Sequence, residues 1–300
     1  MPRTVSLLPA ATDIVCALGV AEQLVAVTHE CDHPAVAHLP RVTGTPVQVH
    51  DDAAAVDAQV RSLSESGLAL FTLDEDRIAR LTPGLILTQA LCDVCAVSET
   101  DVRALATRLT PPPAITTLAG TTIDTVLSDI AAVAAALDVG SEGTELLAGL
   151  RERLRRVHRR LKAAHAPHPR VAIIEWTDPL YAAGHWAPDV VRRAGGVDVL
   201  ATAGSHSVVV SAEAIRAAAP DVLVVAPCGY DLARAVSSAA GLLARPEWAW
   251  ARGIPVWALD GNALLSRPGP NVVRAVEVIA AVLHPVLFGA PAGAGAVRVV

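Results

Sequence analysis

Residues 122–164, TIDTVLSDIAAVAAALDVGSEGTELLAGLRERLRRVHRRLKAA, decide the fold. The run holds no proline, and Gly140, Gly143 and Gly149 fall near its middle. Leu146, Leu150, Leu154, Val157 and Leu161 recur at helical spacing. At ~1.5 Å per residue one helix over this run spans ~60 Å, more than the diameter of a small domain. The run therefore reads as a strut between two lobes, bent at Gly140 to Gly143. Six arginines crowd into residues 151–160, as on a solvated helix face.

The flanks alternate strand and helix patterns. Strands are expected at residues 4–8, 24–28 and 85–88, a short strand or turn at 68–73, and helices at 13–18, 56–66, 76–81 and 97–109. Prolines at 111–113 close this series. A second series opens with a strand at 170–175. It continues through strands at 222–226 and 255–259 to a helix starting at Asn271. Asp76-Arg-Ile78-Ala-Arg-Leu-Thr-Pro83-Gly-Leu-Ile-Leu87 is echoed by Glu213-Ala-Ile215-Arg-Ala-Ala-Ala-Pro220-Asp-Val-Leu-Val224. A helix stopped by proline and followed by a buried strand is expected in each half. The class is α/β, with two Rossmann-like lobes of mainly parallel sheets joined by a long interlobe helix. The boundaries fall at 1–120, 121–166 and 167–300.

Composition narrows the function. Of 300 residues, 52% are hydrophobic and 18% charged, which excludes a disordered chain. Lys plus Arg is 24 against 30 Asp plus Glu, which disfavours sequence-independent nucleic-acid binding. The opening MPRTVSLLPAATD lacks the pattern of a secretory signal, so a soluble cytoplasmic monomer is expected. No apolar run reaches the ~18 residues that suit membrane insertion. Five cysteines, an odd count, argue against a disulfide framework. Phosphate-loop, nucleophile-elbow and zinc-protease signatures are absent, so no catalysis is expected.

Two clusters follow strands of the first series: His29-Glu-Cys31-Asp-His33 and Cys92-Asp-Val-Cys95. Loops after parallel strands share one sheet edge. His29, Cys31, His33, Cys92 and Cys95 are soft donors suited to Zn or Fe, and four of them complete a tetrahedral site. Packed cysteines and a thiol–disulfide switch remain open beside the metal reading. In the second series Trp176, Tyr181 and Trp186 fall close together after a strand, with His185 among them. They suit either a planar ligand or a hydrophobic lid. Cys228 follows the strand at 222–226. Ser266 and Arg267 lie in a glycine- and proline-rich loop opening a helix, which suits an anion or an ordinary cap.

Val5-Ser-Leu-Leu-Pro9-Ala-Ala-Thr-Asp-Ile14, Thr28-His-Glu-Cys-Asp-His-Pro34, Leu85-Ile-Leu-Thr-Gln89 with Leu91-Cys-Asp-Val-Cys-Ala-Val97, and Asp260-Gly-Asn262 with Ser266-Arg-Pro-Gly-Pro270 carry a resemblance. Nearly the whole chain resembles the cobalamin-binding-protein branch of the ABC-transporter substrate-binding proteins. These belong to the wider periplasmic-binding family for iron-siderophores, haem and vitamin B12. The resemblance implies a cobalamin-like corrinoid or metal chelate held between the lobes with little hinge motion. By loop position it matches Trp176, Tyr181 and Trp186 to the family's aromatic ligand contacts, and Pro9, His185, Cys228, Ser266 and Arg267 complete the expected binding positions. It also implies an ABC permease as partner, met by one acidic residue per lobe, here Asp76 and Glu213. Exported relatives work in the periplasm. The rival reading is a zinc-binding protein or zinc-dependent enzyme using His29, Cys31, Cys92 and Cys95 on the same fold. A third is a redox-sensing module cycling Cys92 and Cys95.

Overall fold

The computed structural model describes residues 2–48, 52–91, 96–291 and 295–300. The chain divides into two units. The first comprises Met1–His50, Ala55–Gly120 and Asp124–Gly149; the second comprises Asp51–Ala54, Thr121–Ile123 and Leu150–Val300.

The first stretch of chain runs β1 (Thr4–Ser6), α1 (Pro9–Ala17), β2 (Leu24–Val27), β3 (Thr43–Gly44), α2 (Ala53–Glu65), β4 (Thr72–Leu73) and α3 (Glu75–Leu81). It continues through β5 (Leu85–Gln89), α4 (Glu99–Arg108), β6 (Ala114–Leu118), α5 (Ile123–Ala136) and α6 (Gly140–Ala163). β1 pairs in parallel with β2 and β5, and β5 with β6, in the order β2-β1-β5-β6. All five residues of β5 are buried, as a parallel strand covered on both faces requires. Val5, Leu7, Ala26, Ile86 and Val102 pack with Ile78 of α3 in one core. α1 starts at Pro9 rather than Asp13. Proline suits a first helical position, whose N–H would lack a helical partner anyway.

The second stretch runs β7 (Arg170–Thr177), β8 (Leu180–Ala182), α7 (Ala187–Arg193), β9 (Val197–Asp198), β10 (Val208–Val209), α8 (Ala212–Ala217) and β11 (Val222–Val225). Then come α9 (Leu232–Ala244), β12 (Val256–Leu259), α10 (Gly261–Leu264), α11 (Asn271–Leu283), α12 (Pro285–Phe288) and β13 (Ala296–Arg298). The sheet order is β10-β8-β7-β11-β12-β13, and β9 pairs with β7. β7, β11 and β12 are parallel, whereas β8, β10 and β13 join antiparallel at the flanks. Those flanking strands are two or three residues long, too short to show a sequence period. The fully buried Trp248 packs with Leu223, Val225, Leu242 and Ile215.

The echoed segments have matching structures. Asp74 caps α3 by accepting from the Arg77 N–H, and Ser211 caps α8 by accepting from the Ala214 N–H. Ile78 and Ile215 are each fully buried. Thr82 and Ala219 each adopt a left-handed φ, of 44° and 45°, directly before Pro83 and Pro220. β5 and β11 follow.

The run at 122–164 is two helices, not one. α5 ends at Ala136, and Asp138 turns the chain with φ 61°. The Val139 N–H reaches back to Ala134 O and the Asp138 N–H to Ala135 O, the two bonds of a Schellman stop. Leu137 and Val139, on either side, are buried and anchor the turn. Gly143 is no bend: a Cβ there would strike the Ala134 Cβ, so it permits close packing of α6 on α5. α6 retains 24 residues, ~36 Å, and the division between units falls within it, at Gly149 and Leu150. In the second unit the Arg153 guanidinium bonds both oxygens of Glu277 on α11, at 2.9 and 2.6 Å.

Two buried carboxylates behave oppositely. Burial pushes Asp189 up, but Arg192, Arg193 and the Ile123 N–H outweigh it and hold the carboxyl below its ordinary value. Asp198 receives only the Leu200 and Ala201 N–H groups on one oxygen, and its buried Oδ2 has no partner among the described residues. Burial pushes it up to about 6. Folding therefore favours its protonated form. That stabilisation is complete below the unfolded value of 3.8 and is lost as pH rises through about 6. Asp198→Asn keeps the acceptor and removes the charge. Between about pH 4 and pH 8 the variant is expected to gain about 1–3 kcal/mol relative to the parent, by urea denaturation at each pH. Parallel pH profiles would refute this account.

Candidate functional site

The parallel strands of each unit deliver their following loops to one sheet edge, and the sequence-predicted residues distribute over these loops. In the first unit Pro9 opens α1 and is half-buried. Behind it runs a buried chain: the Thr12 hydroxyl donates to Ser6 Oγ at 2.8 Å, and Ser6 Oγ donates to Leu8 O at 3.0 Å. Cys31 Sγ lies 3.1 Å from Thr12 Oγ1, at 5% exposure. The Cys31 carbonyl accepts from Arg41 at 3.0 Å.

His29, two residues past the end of β2, is half-buried. Its N–H donates to Thr43 Oγ1 at 3.0 Å, and its Nδ1 lies 2.7 Å from the same oxygen. Phe71 stands 6.0 Å from its ring centre. Burial lowers the His29 pKa and favours the neutral imidazole. His33 Nδ1 accepts the Ala35 N–H at 3.2 Å and so caps a short helical turn. Cys92 and Cys95 lie outside the described residues. Among the described residues, no group of three or more His, Cys, Asp and Glu side chains is arranged to hold a metal.

The second unit gathers the aromatics. Trp176, near the end of β7, donates its Nε1–H to Asp178 O at 3.0 Å and Ala53 O at 3.2 Å. This fixes the indole, whose ring meets Tyr230 edge-on at 5.4 Å. Tyr230 lies in the loop after β11, and the Arg234 guanidinium covers its ring at 3.9 Å. Tyr181 on β8 is the register partner of Trp176, so both project from one sheet face. A depression of about 460 Å³ opens beside this cluster, lined by Asp52, Thr177, Asp178, Tyr230, Arg234 and Arg245 among others. Arg245 pairs with Asp178 at 3.2 Å.

The remaining positions are structural in their contacts. Trp186 is buried and donates to Leu265 O at 2.9 Å. His185 has φ 51°, with its ring 5.2 Å from His206 and 5.7 Å from Trp186. Burial, and secondarily His206, lowers its pKa. Ser266 Oγ donates to Gly261 O at 2.8 Å and accepts from the Gly229 N–H at 3.0 Å. Arg267 is buried and donates to Asn262 Oδ1 at 2.9 Å. A Cβ on Gly261 would collide with Pro227 O, so only glycine lets the loops after β11 and β12 meet. Cys228 is exposed, its N–H bonded to Glu175 O at 2.9 Å.

Residues 5–251 match the profile of the family described as periplasmic binding protein. The chain belongs to that family. Solved periplasmic binding proteins share its fold across nearly the full length. A heme-binding protein from Pseudomonas aeruginosa is 21% identical with a TM-score of 0.70, covering 95% of this chain and 94% of that one. The vitamin B12-binding protein BtuF of Vibrio cholerae is 24% identical at 0.65, covering 94% and 96%. The heme-binding protein RhuT from Roseiflexus sp. RS-1 is 24% identical at 0.65, covering 96% and 97%. No curated protein sequence matches the chain. No helix among the described residues is long and apolar enough to cross a membrane.

Sequence reasoning overlooked Tyr230 and Arg234 as site residues. Their signal was the four-residue spacing across the start of a helix that follows a buried strand. The cysteine environments also differ: Cys16 is pushed up to about 11 by burial and Asp13, Cys31 is buried, and Cys228 is exposed. With iodoacetamide on the native protein, peptide mapping is expected to show Cys228 modified at least tenfold faster than Cys16 or Cys31. Comparable rates for all three would contradict these environments.

Proposed function

We propose that this periplasmic binding protein binds, without catalysis, a planar metal macrocycle of the corrinoid or porphyrin kind and passes it to an ABC permease. The observation behind this is the Trp176–Tyr230–Arg234 cluster beside an open depression. A fixed indole offers apolar area to a planar ring, and arginines suit acidic groups on its rim. The His-Glu-Cys-Asp motif and the vitamin B12 and heme proteins of like fold support the same ligand class. Tyr181 extends the apolar face, while Arg267 and Ser266 hold the loop beneath. Asp76 and Glu213 are exposed at equivalent first turns of α3 and α8, and we assign them to permease contact.

Titration with hydroxocobalamin, and separately with hemin, followed by absorption, tests the ligand class. One of them is expected to bind with a shifted spectrum at near-stoichiometric occupancy. Trp176→Ala is expected to weaken binding about tenfold. No shift with either ligand would overturn the reading. Reversing the charges of Asp76 and Glu213 is expected to leave this titration unchanged and to remove stimulation of permease ATP hydrolysis in proteoliposomes. Unchanged stimulation would exclude these two residues from the contact.

A further inference from the structure

From Leu150 to Ala163, α6 carries seven Lys and Arg against one Asp or Glu, leaving 17 against 29 in the rest of the chain. The concentration is local and one-sided. Leu150 and Val157 are buried on the inner face. Two of the arginines serve the fold: Arg153 pairs with Glu277, and Arg160 lies over the Phe288 ring at 5.1 Å. The others face outward. Arg151, Arg155, Arg159 and Lys162 follow one another at intervals of three and four residues, with Arg156 beside them, and all five are exposed. This row is ~16 Å long. A single carboxylate, Glu152, serves both Arg155 at 2.9 Å and Arg159 at 2.7 Å.

Like charges four apart on a helix repel, so the row weakens α6 unless a negative surface balances it. The rest of this acidic chain offers no comparable run. A solvated face serving solubility alone interleaves both signs. Here one sign persists over three turns.

We propose that this face of α6 is a docking surface for an anionic phospholipid membrane. The row is straight, as a helix lying on a plane requires. It bears no large apolar side chain, so attachment is by charge to headgroup phosphates rather than by insertion. Nucleic acid fits less well. Residues 140–163 contain no Phe, Tyr or Trp to stack on a base and no Asn or Gln to read one. The surface is independent of the ligand site.

The test is co-sedimentation of the full chain with vesicles of phosphatidylcholine alone or with about 30% phosphatidylglycerol, in low salt. At least tenfold greater partitioning onto the anionic vesicles is expected, falling away near ~0.5 M NaCl. The triple variant Arg151→Gln, Arg156→Gln, Lys162→Gln removes no hydrogen bond or ion pair made among the described residues. It is expected to lose the preference while its circular dichroism is unchanged. Equal partitioning of the parent on the two vesicle types would overturn the proposal, whatever the variant does. So would an unaltered preference in the folded variant, or binding to a DNA duplex without binding to vesicles.

Discussion

Two strands that pair in parallel cannot be joined by a tight turn; the chain must cross back over the sheet, here by a helix. That constraint organises each unit. β1, β2, β5 and β6 all run one way, and so do β7, β11 and β12. Every loop that leaves one of these strands emerges on the same edge. Residues 19 and 54 positions apart in sequence thereby become neighbours, as Thr12 does with Cys31 and Trp176 with Tyr230. Burial on both faces makes the interior strands mostly apolar, Leu85-Ile-Leu87 at the start of β5 and Val222-Leu-Val-Val225 throughout β11.

At the edge, backbone packing sets what each side chain can do. Gly261 brings the loop after β12 against the loop after β11, and Ser266 ties them by bonding Gly229 and Gly261. Tyr230 is thereby held under Trp176 and Arg234. The hydrogen bonds of the Trp176 indole restrict its orientation, so a ligand would meet a surface whose side-chain entropy is already lost. On the first unit, Thr43 does the same for His29 by bonding both its backbone and its ring.

Charge is handled by compensation where it is buried and by solvent where it is not. Asp189 is balanced by two arginines and a backbone N–H, whereas Asp198 has only N–H donors, and burial dominates its titration. α6 shows both treatments along one helix. Arg153 and Arg160 are absorbed by α11 and Phe288, and the outward row shares a single carboxylate.

The sequence by itself determined the α/β class, the parallel strands and the repeated helix–proline–strand unit, because those depend on local period and on proline. It also pointed to the loops after β2, β7 and β11, because sheet edges follow from strand direction. Only the tertiary structure decided which residues in those loops face outward. Trp176 and Trp186 look alike in sequence. Trp176 is half-buried with its N–H on Asp178 O and Ala53 O, and Trp186 is buried with its N–H on Leu265, a difference set by a residue some eighty positions away. The break between α5 and α6 was likewise invisible: glycines marked the expected bend, but buried Leu137 and Val139 fixed the turn at Asp138 and left Gly143 to packing. Local preference is short-ranged, whereas burial is settled by contacts that the folded chain makes far from each residue's own neighbours.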